Sequence, residues 1–85
     1  PGATKSRPLV IARQVGMYLS RKLTGSTYAA IGGSFGGRDH STVIYACRKV
    51  RAEIRRNRVF AERIVEIEKK LLEDYKEEIT GKSKD

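Results

Sequence analysis

Two adjacent glycines, Gly36 and Gly37, followed by Arg38-Asp39-His40-Ser41-Thr42 and then by apolar residues at helical spacing, constrain this chain more than any other feature. A glycine pair breaks a helix and permits backbone angles closed to other residues. Asp39 can cap a new helix by accepting backbone N–H groups two or three residues ahead. Val43, Cys47, Val50 and Ile54 then repeat at intervals of four, three and four, the stripe of a helix with one buried face. The run therefore reads as a turn that brings the first turn of a helix, rich in hydrogen-bonding side chains, to an outside surface.

The flanking sequence is helical too. Upstream, Ile11, Val15, Tyr18, Leu19 and Leu23 repeat at helical spacing until Thr24-Gly25-Ser26 stops the pattern. Pro8 suits a helix start and disrupts an interior, so the first helix is expected from about residue 8. Ser26 or Thr27 can cap a short second helix through Tyr28 to Gly32. The third runs from near Asp39 to about Arg56, where Asn57 is a terminator. A fourth carries Phe60, Ile64, Ile67 and Leu71, widened by Val65, Leu72, Tyr75 and Ile79, and Gly81 ends it. No strand competes. The expected fold is all-α: a small helical bundle of three longer helices and a short one, with a helix-turn-helix in which Ile31 packs inward, Gly32 permits close approach, Phe35 fills the corner and Gly36 makes the turn. Residues 1–7 read as a flexible basic arm, 8–81 as the domain and 82–85 as a tail. A start at Pro1 without Met suggests a fragment or a processed chain.

Eighty-five residues allow one domain with a single small core. The net charge of +8 is unevenly placed: residues 1–58 hold twelve Lys/Arg against two acids, and residues 59–85 hold six against eight. The first part reads as a surface for a polyanion and the last as an ordinary solvated face. No apolar run approaches a membrane span, and residues 1–10 do not read as a signal peptide. One cysteine forms no internal disulfide, which fits a reducing cytoplasm. One Cys and one His are too few ligands for a zinc site, and Cys47 reads as a small core residue. Asp39-His40-Ser41 is no triad, because neighbours on a helix point apart. Gly81-Lys82-Ser83 lacks the earlier glycine of a phosphate-binding loop. No enzymatic site emerges.

At 100° per residue, Ser41, Tyr45 and Arg48 point away from the Val43 stripe, with Thr42 and Lys49 on one flank and Arg55 on the other. Short side chains at the helix tip suit base edges, and long cations behind them suit phosphates. The helix N-terminus adds its positive dipole. Arg51, Arg55, Arg56 and Arg58 read equally as a solvated face or as phosphate contacts.

The stretch Gly36 to Val43, continued by Ile44-Tyr45-Ala46-Cys47-Arg48-Lys49-Val50, resembles the signature of the bacterial chromosomal replication initiator DnaA family, in its C-terminal DNA-binding domain. Arg13-Gln14-Val15-Gly16-Met17-Tyr18-Leu19 and Leu23-Thr24 look like the preceding helix of that domain, and the likeness covers about residues 5–55. The resemblance implies a Trp-repressor-like helix-turn-helix, monomeric as an isolated domain, that binds short A·T-rich boxes in double-stranded origin DNA. Its recognition helix would enter the major groove and a basic arm the adjacent minor groove. Asp39, His40 and Ser41 would meet bases, with Tyr28 and Ala29 nearby, and Lys5 and Arg7 would supply the arm. Arg38, Thr42, Tyr45, Lys49 and Arg48 would meet the DNA backbone, joined by Gln14, Arg21 and Arg13 of the first helix. The domain would need no cofactor, ATP belonging to an upstream domain, and the protein would be cytoplasmic. The chain departs from the family in having Ala12 where a proline is usual, Tyr28-Ala29-Ala30 in place of Leu-Pro-Glu, and Lys5 in place of the minor-groove arginine. Two rivals stand beside this reading: a module that docks regulatory proteins, and an acidic phospholipid binder using residues 1–24. RNA binding is weaker, for want of an aromatic stacking platform.

Overall fold

The computed structural model describes the backbone of residues 2–80 and the side chains of residues 7–79. Four helices follow in order, α1 (Gly2–Thr24), α2 (Tyr28–Ser34), α3 (His40–Arg56) and α4 (Arg58–Thr80), with no strand among the described residues. This is the expected all-α class, three longer helices and one short. The chain divides into two compact units, one ending at Ala52 and one beginning at Glu53.

The first unit holds the core. Met17 of α1, Ile31 of α2 and Val43, Ala46 and Cys47 of α3 form one buried cluster, with Tyr18, Tyr28 and Phe35 packed against it. Val43 and Cys47 have no accessible surface. Burying a side chain of valine size contributes about 1.5–3 kcal/mol, so α3 is held chiefly by this stripe. Thr27 is the N-cap of α2, its hydroxyl accepting the Ala30 N–H at 3.1 Å. The turn after α2 closes on Gly32, whose carbonyl accepts the N–H of Phe35 at 3.2 Å and of Arg38 at 2.9 Å. Gly36 and Gly37 then take φ of +87° and +75°, a backbone that a side chain would strain. The Phe35 ring lies against Gly16, where an added Cβ would come within 3.0 Å of it. Gly32, Phe35 and Gly36 thus do in the structure what the sequence asked of them.

The start of α1 differs from expectation. The helix begins at Gly2 and holds Pro8 inside it, so the backbone of residues 2–7, expected as an arm, is helical. Pro8 removes one N–H donor without breaking the helix, and Ala3, Lys5 and Arg7 are good helix formers. The α1 stripe is also rotated. Leu19 is buried as expected, but Ile11 is 45% exposed and Met17, outside the expected stripe, is buried.

In the second unit, Asn57 forms a one-residue break between α3 and α4. Its N–H donates to the Glu53 carbonyl at 2.9 Å, and its side-chain oxygen caps α4 by accepting the Phe60 N–H at 3.1 Å. Arg56 pairs with Glu53 at 2.7 Å, an exposed bridge worth little. Of the expected α4 stripe only Ile64 is buried; Val65, Ile67, Leu71, Leu72, Tyr75 and Ile79 are exposed. A helix of 23 residues is about 35 Å long. The rest of the unit within the described residues, the end of α3 and Asn57, is too short to cover such a stripe. Gly81 and the tail 82–85 lie outside the described residues.

Candidate nucleic-acid interface

The exposed surface of the first unit is organised by the N-terminus of α3. Asp39 accepts the Thr42 backbone N–H at 3.2 Å and the Ser41 hydroxyl at 3.0 Å, both on Oδ1. The expected cap is in place, and Oδ2 carries neither bond. The Thr42 N–H above all, and the Ser41 hydroxyl next, hold the Asp39 carboxyl below the ordinary carboxylate range. A carboxyl depressed in the folded state stabilises fully above its unfolded value, near 3.9, and loses that contribution as pH falls through the folded value. The cap should therefore be constant from about pH 7 to 5 and weaken below about 4. Urea midpoints for wild type and Asp39→Asn check this: the gap between the two curves should close at low pH. A gap that stays constant to about pH 3 would contradict it.

His40, Ser41 and Thr42 fill the first turn of α3 and are exposed, as are Arg48 and Lys49 further along; Tyr45 is 57% exposed. On the same helix Val43, Ala46, Cys47 and Val50 are buried. One face packs and the other presents hydroxyls, an imidazole, a phenol and cations. Burial pushes the Cys47 thiol up, which suits a packing residue rather than a nucleophile.

The fold also gathers residues distant in sequence. Arg13 and Gln14 of α1, Arg38 of the turn and Thr42 and Tyr45 of α3 line one surface notch of about 80 Å³, with buried Met17 and Ala46 among its lining. Five of the residues expected at the DNA backbone therefore share one place. Arg38 is aimed by its own turn, its Nε donating to the Phe35 carbonyl at 3.1 Å. Val10 lines the notch too and was not singled out in the sequence; its spacing of seven from Met17 is the signal that places both on one helix face.

The remaining expected residues are less concentrated. Arg21 is half-buried and engaged within the protein: its guanidinium carbon lies 4.3 Å from the centre of the Tyr28 ring and its Nη1 donates to the Ser26 carbonyl at 2.8 Å. Ala29 is exposed on α2 and Arg7 on α1. The Lys5 side chain lies outside the described residues.

A model of the bacterial dnaA protein helix-turn-helix family matches residues 1–50. The chain belongs to this family. The match spans α1, α2, the turn and α3 as far as Val50, the elements that build the surface just described. Among curated relatives, the chromosomal replication initiator protein DnaA of Symbiobacterium thermophilum is 46% identical over 63 residues, 74% of this chain and 14% of that protein. The protein of the same description from Corynebacterium aurimucosum is 53% identical over 57 residues, 67% of this chain and 10% of the relative. That from Corynebacterium jeikeium is 40% identical over 70 residues, 82% of this chain and 12% of the relative. The chain thus spans 10–14% of the length of these three relatives. No solved structure matches it. The family makes this a helix-turn-helix DNA-binding domain, and among the described residues no helix is long and apolar enough to cross a membrane.

Proposed function

We propose that the domain reads short A·T-rich boxes in duplex DNA at a bacterial replication origin, with the first turn of α3 in the major groove. The observation that carries this reading is the exposed turn Asp39 to Thr42, set on a helix whose opposite side is anchored by fully buried Val43 and Cys47. A rigid helix tip bearing short polar side chains is what groove reading requires. His40 and Ser41 reach base edges. Asp39 Oδ2, which the cap does not use, accepts from a cytosine amino group. Tyr28 and Ala29 flank them from α2, and Lys5 and Arg7 track the adjacent minor groove. Arg38, Thr42 and Tyr45 take phosphates at the notch with Arg13 and Gln14, while Arg48 and Lys49 take them further along α3.

The test is a fluorescence anisotropy titration of one origin-type duplex against a scrambled one. His40→Ala should lower the ratio of the two affinities about five- to 150-fold, the usual span for a lost base contact of ~1–3 kcal/mol. Lys49→Ala should weaken both duplexes alike. Equal losses on both duplexes for His40→Ala would remove His40 from base reading.

A further inference from the structure

We propose that Arg21 is a positioning residue for DNA reading: it holds the Tyr28 ring and the entry to α2 in place. This rests on the proposed reading of duplex DNA by α2 and α3. The resemblance alone assigns Arg21 to the DNA backbone; its contacts within the protein point to a further role.

The guanidinium stands over the Tyr28 ring at 4.3 Å, inside the range for attraction between a cation and a π face. It also donates to the carbonyl of Ser26, the residue before the α2 N-cap Thr27. One planar group therefore grips the α1–α2 corner twice, by its face and by its edge. A lysine ammonium has no such plane and cannot make both contacts from one position. The corner is fixed from α1 as well: the Thr24 hydroxyl donates to the Ser20 carbonyl at 2.6 Å, and its oxygen accepts the Ser26 N–H at 3.1 Å. Tyr28 packs against the core cluster in addition, so its half-buried ring has one stable attitude, set by the core and by Arg21.

That placement decides what Arg21 can do at the DNA. The stack and the Ser26 bond use one face and one N–H of the guanidinium, so any phosphate it met would have to come to it where it stands. Lys49, exposed on α3, can reach a phosphate without giving up a comparable pair of contacts. Leaving Arg21 where it is keeps Tyr28 rigid, and a rigid aromatic ring discriminates between base sequences better than one that must be ordered on binding.

The two roles separate cleanly in experiment. Arg21→Lys keeps the charge and removes the grip. It should lower the affinity ratio between origin-type and scrambled duplexes about fivefold, with the salt slope unchanged. Added to Tyr28→Leu, it should have no further effect on that ratio. If Arg21→Lys keeps the full ratio, while Arg21→Gln weakens both duplexes equally and lowers the salt slope by about one, Arg21 acts only as a phosphate contact and the proposal is overturned. Helix content by circular dichroism confirms that each variant folds, and Tyr28→Leu carries the test should Arg21→Lys not fold. The grip itself is read without DNA: the Arg21 side-chain protons should show an upfield ring-current shift in the NMR spectrum of the free chain, lost in Tyr28→Leu. Absence of that shift overturns the proposal whatever the DNA result. A shifted Arg21 in a wild type that holds both duplexes equally would instead sink the sequence-specific reading, and the positioning role with it.

Discussion

Gly32→Ala should lower the thermal midpoint of this domain by about 10–20 °C, although it exchanges the poorest common helix former for the best. A Cβ added at Gly32 would clash with the Arg38 carbonyl oxygen and lie 3.1 Å from its carbon, both backbone atoms. Backbone cannot step aside as a flexible side chain can, so α2 and the turn must separate. Separation would loosen the Gly32 carbonyl's bonds to Phe35 and Arg38, about 1 kcal/mol each, and add packing strain of ~1–3 kcal/mol. The gain in helix propensity, about 1 kcal/mol, offsets only part of this. A net loss near ~2–4 kcal/mol is large against a total stability of ~4–13 kcal/mol for a chain of this size. Gly33→Ala supplies the control. Its Cβ meets nothing within 4 Å, so propensity acts alone and the variant should melt a few degrees higher. Two adjacent glycines in one short helix thus respond with opposite signs. Equal midpoints for the two variants in a calorimetric or circular dichroism melt would show that the Gly32–Arg38 approach does not hold the turn. The same substitution should weaken DNA binding, because the turn it displaces carries Arg38 and leads directly into Asp39.

Much of this arrangement was legible because it is local. The Asp39 cap, the Thr27 cap and the positive-φ glycines depend on chemistry within three or four residues, and such chemistry reads directly from sequence. The buried stripe of Val43, Cys47 and Val50 follows from helical periodicity on a helix with a single packing face. The misses have a common cause. Met17 shares a face of α1 with Arg13 and Gln14, polar residues that mark this face for solvent or ligand in a one-stripe reading; its burial depends on which elements approach from elsewhere in the chain. Ala46 is too small to signal a core position alone. The start of α1 at Gly2 places Pro8 beyond the first turn, an interior position that proline disfavours and that periodicity therefore takes as a boundary. The exposed α4 stripe shows that periodicity reports which face a helix would bury, and says nothing about whether a partner covers it. The site divides along the same line. His40, Ser41 and Thr42 announce themselves by capping and phase, whereas the notch between residues from Arg13 to Tyr45 and the grip of Arg21 on Tyr28 are tertiary facts.

Between 50 and 200 mM salt, affinity for an origin-type duplex should fall about a thousandfold. The expectation follows from counting cations on the surface that carries the readers. Arg13, Arg38, Arg48 and Lys49 accompany the α3 tip, Arg7 and Lys5 belong to α1, and the α3 N-terminus adds a fixed positive end. About six phosphates neutralised by such groups release their condensed counterions, giving a log–log slope near −5, and a fourfold rise in salt raised to that power gives the thousandfold loss. Base contacts release no counterions, so the ratio between origin-type and scrambled duplexes should stay nearly constant while both affinities collapse. Removing one cation tests the count: Lys49→Ala should bring the slope to about −4, so that its disadvantage narrows as salt rises. His40→Ala should leave the slope alone and lower the ratio at every salt concentration. A slope near −1 for wild type, with the ratio unchanged, would mean that bases are read without a phosphate footprint, a mode this cationic face is poorly suited to and one that would place Arg13, Arg38, Arg48 and Lys49 outside the interface.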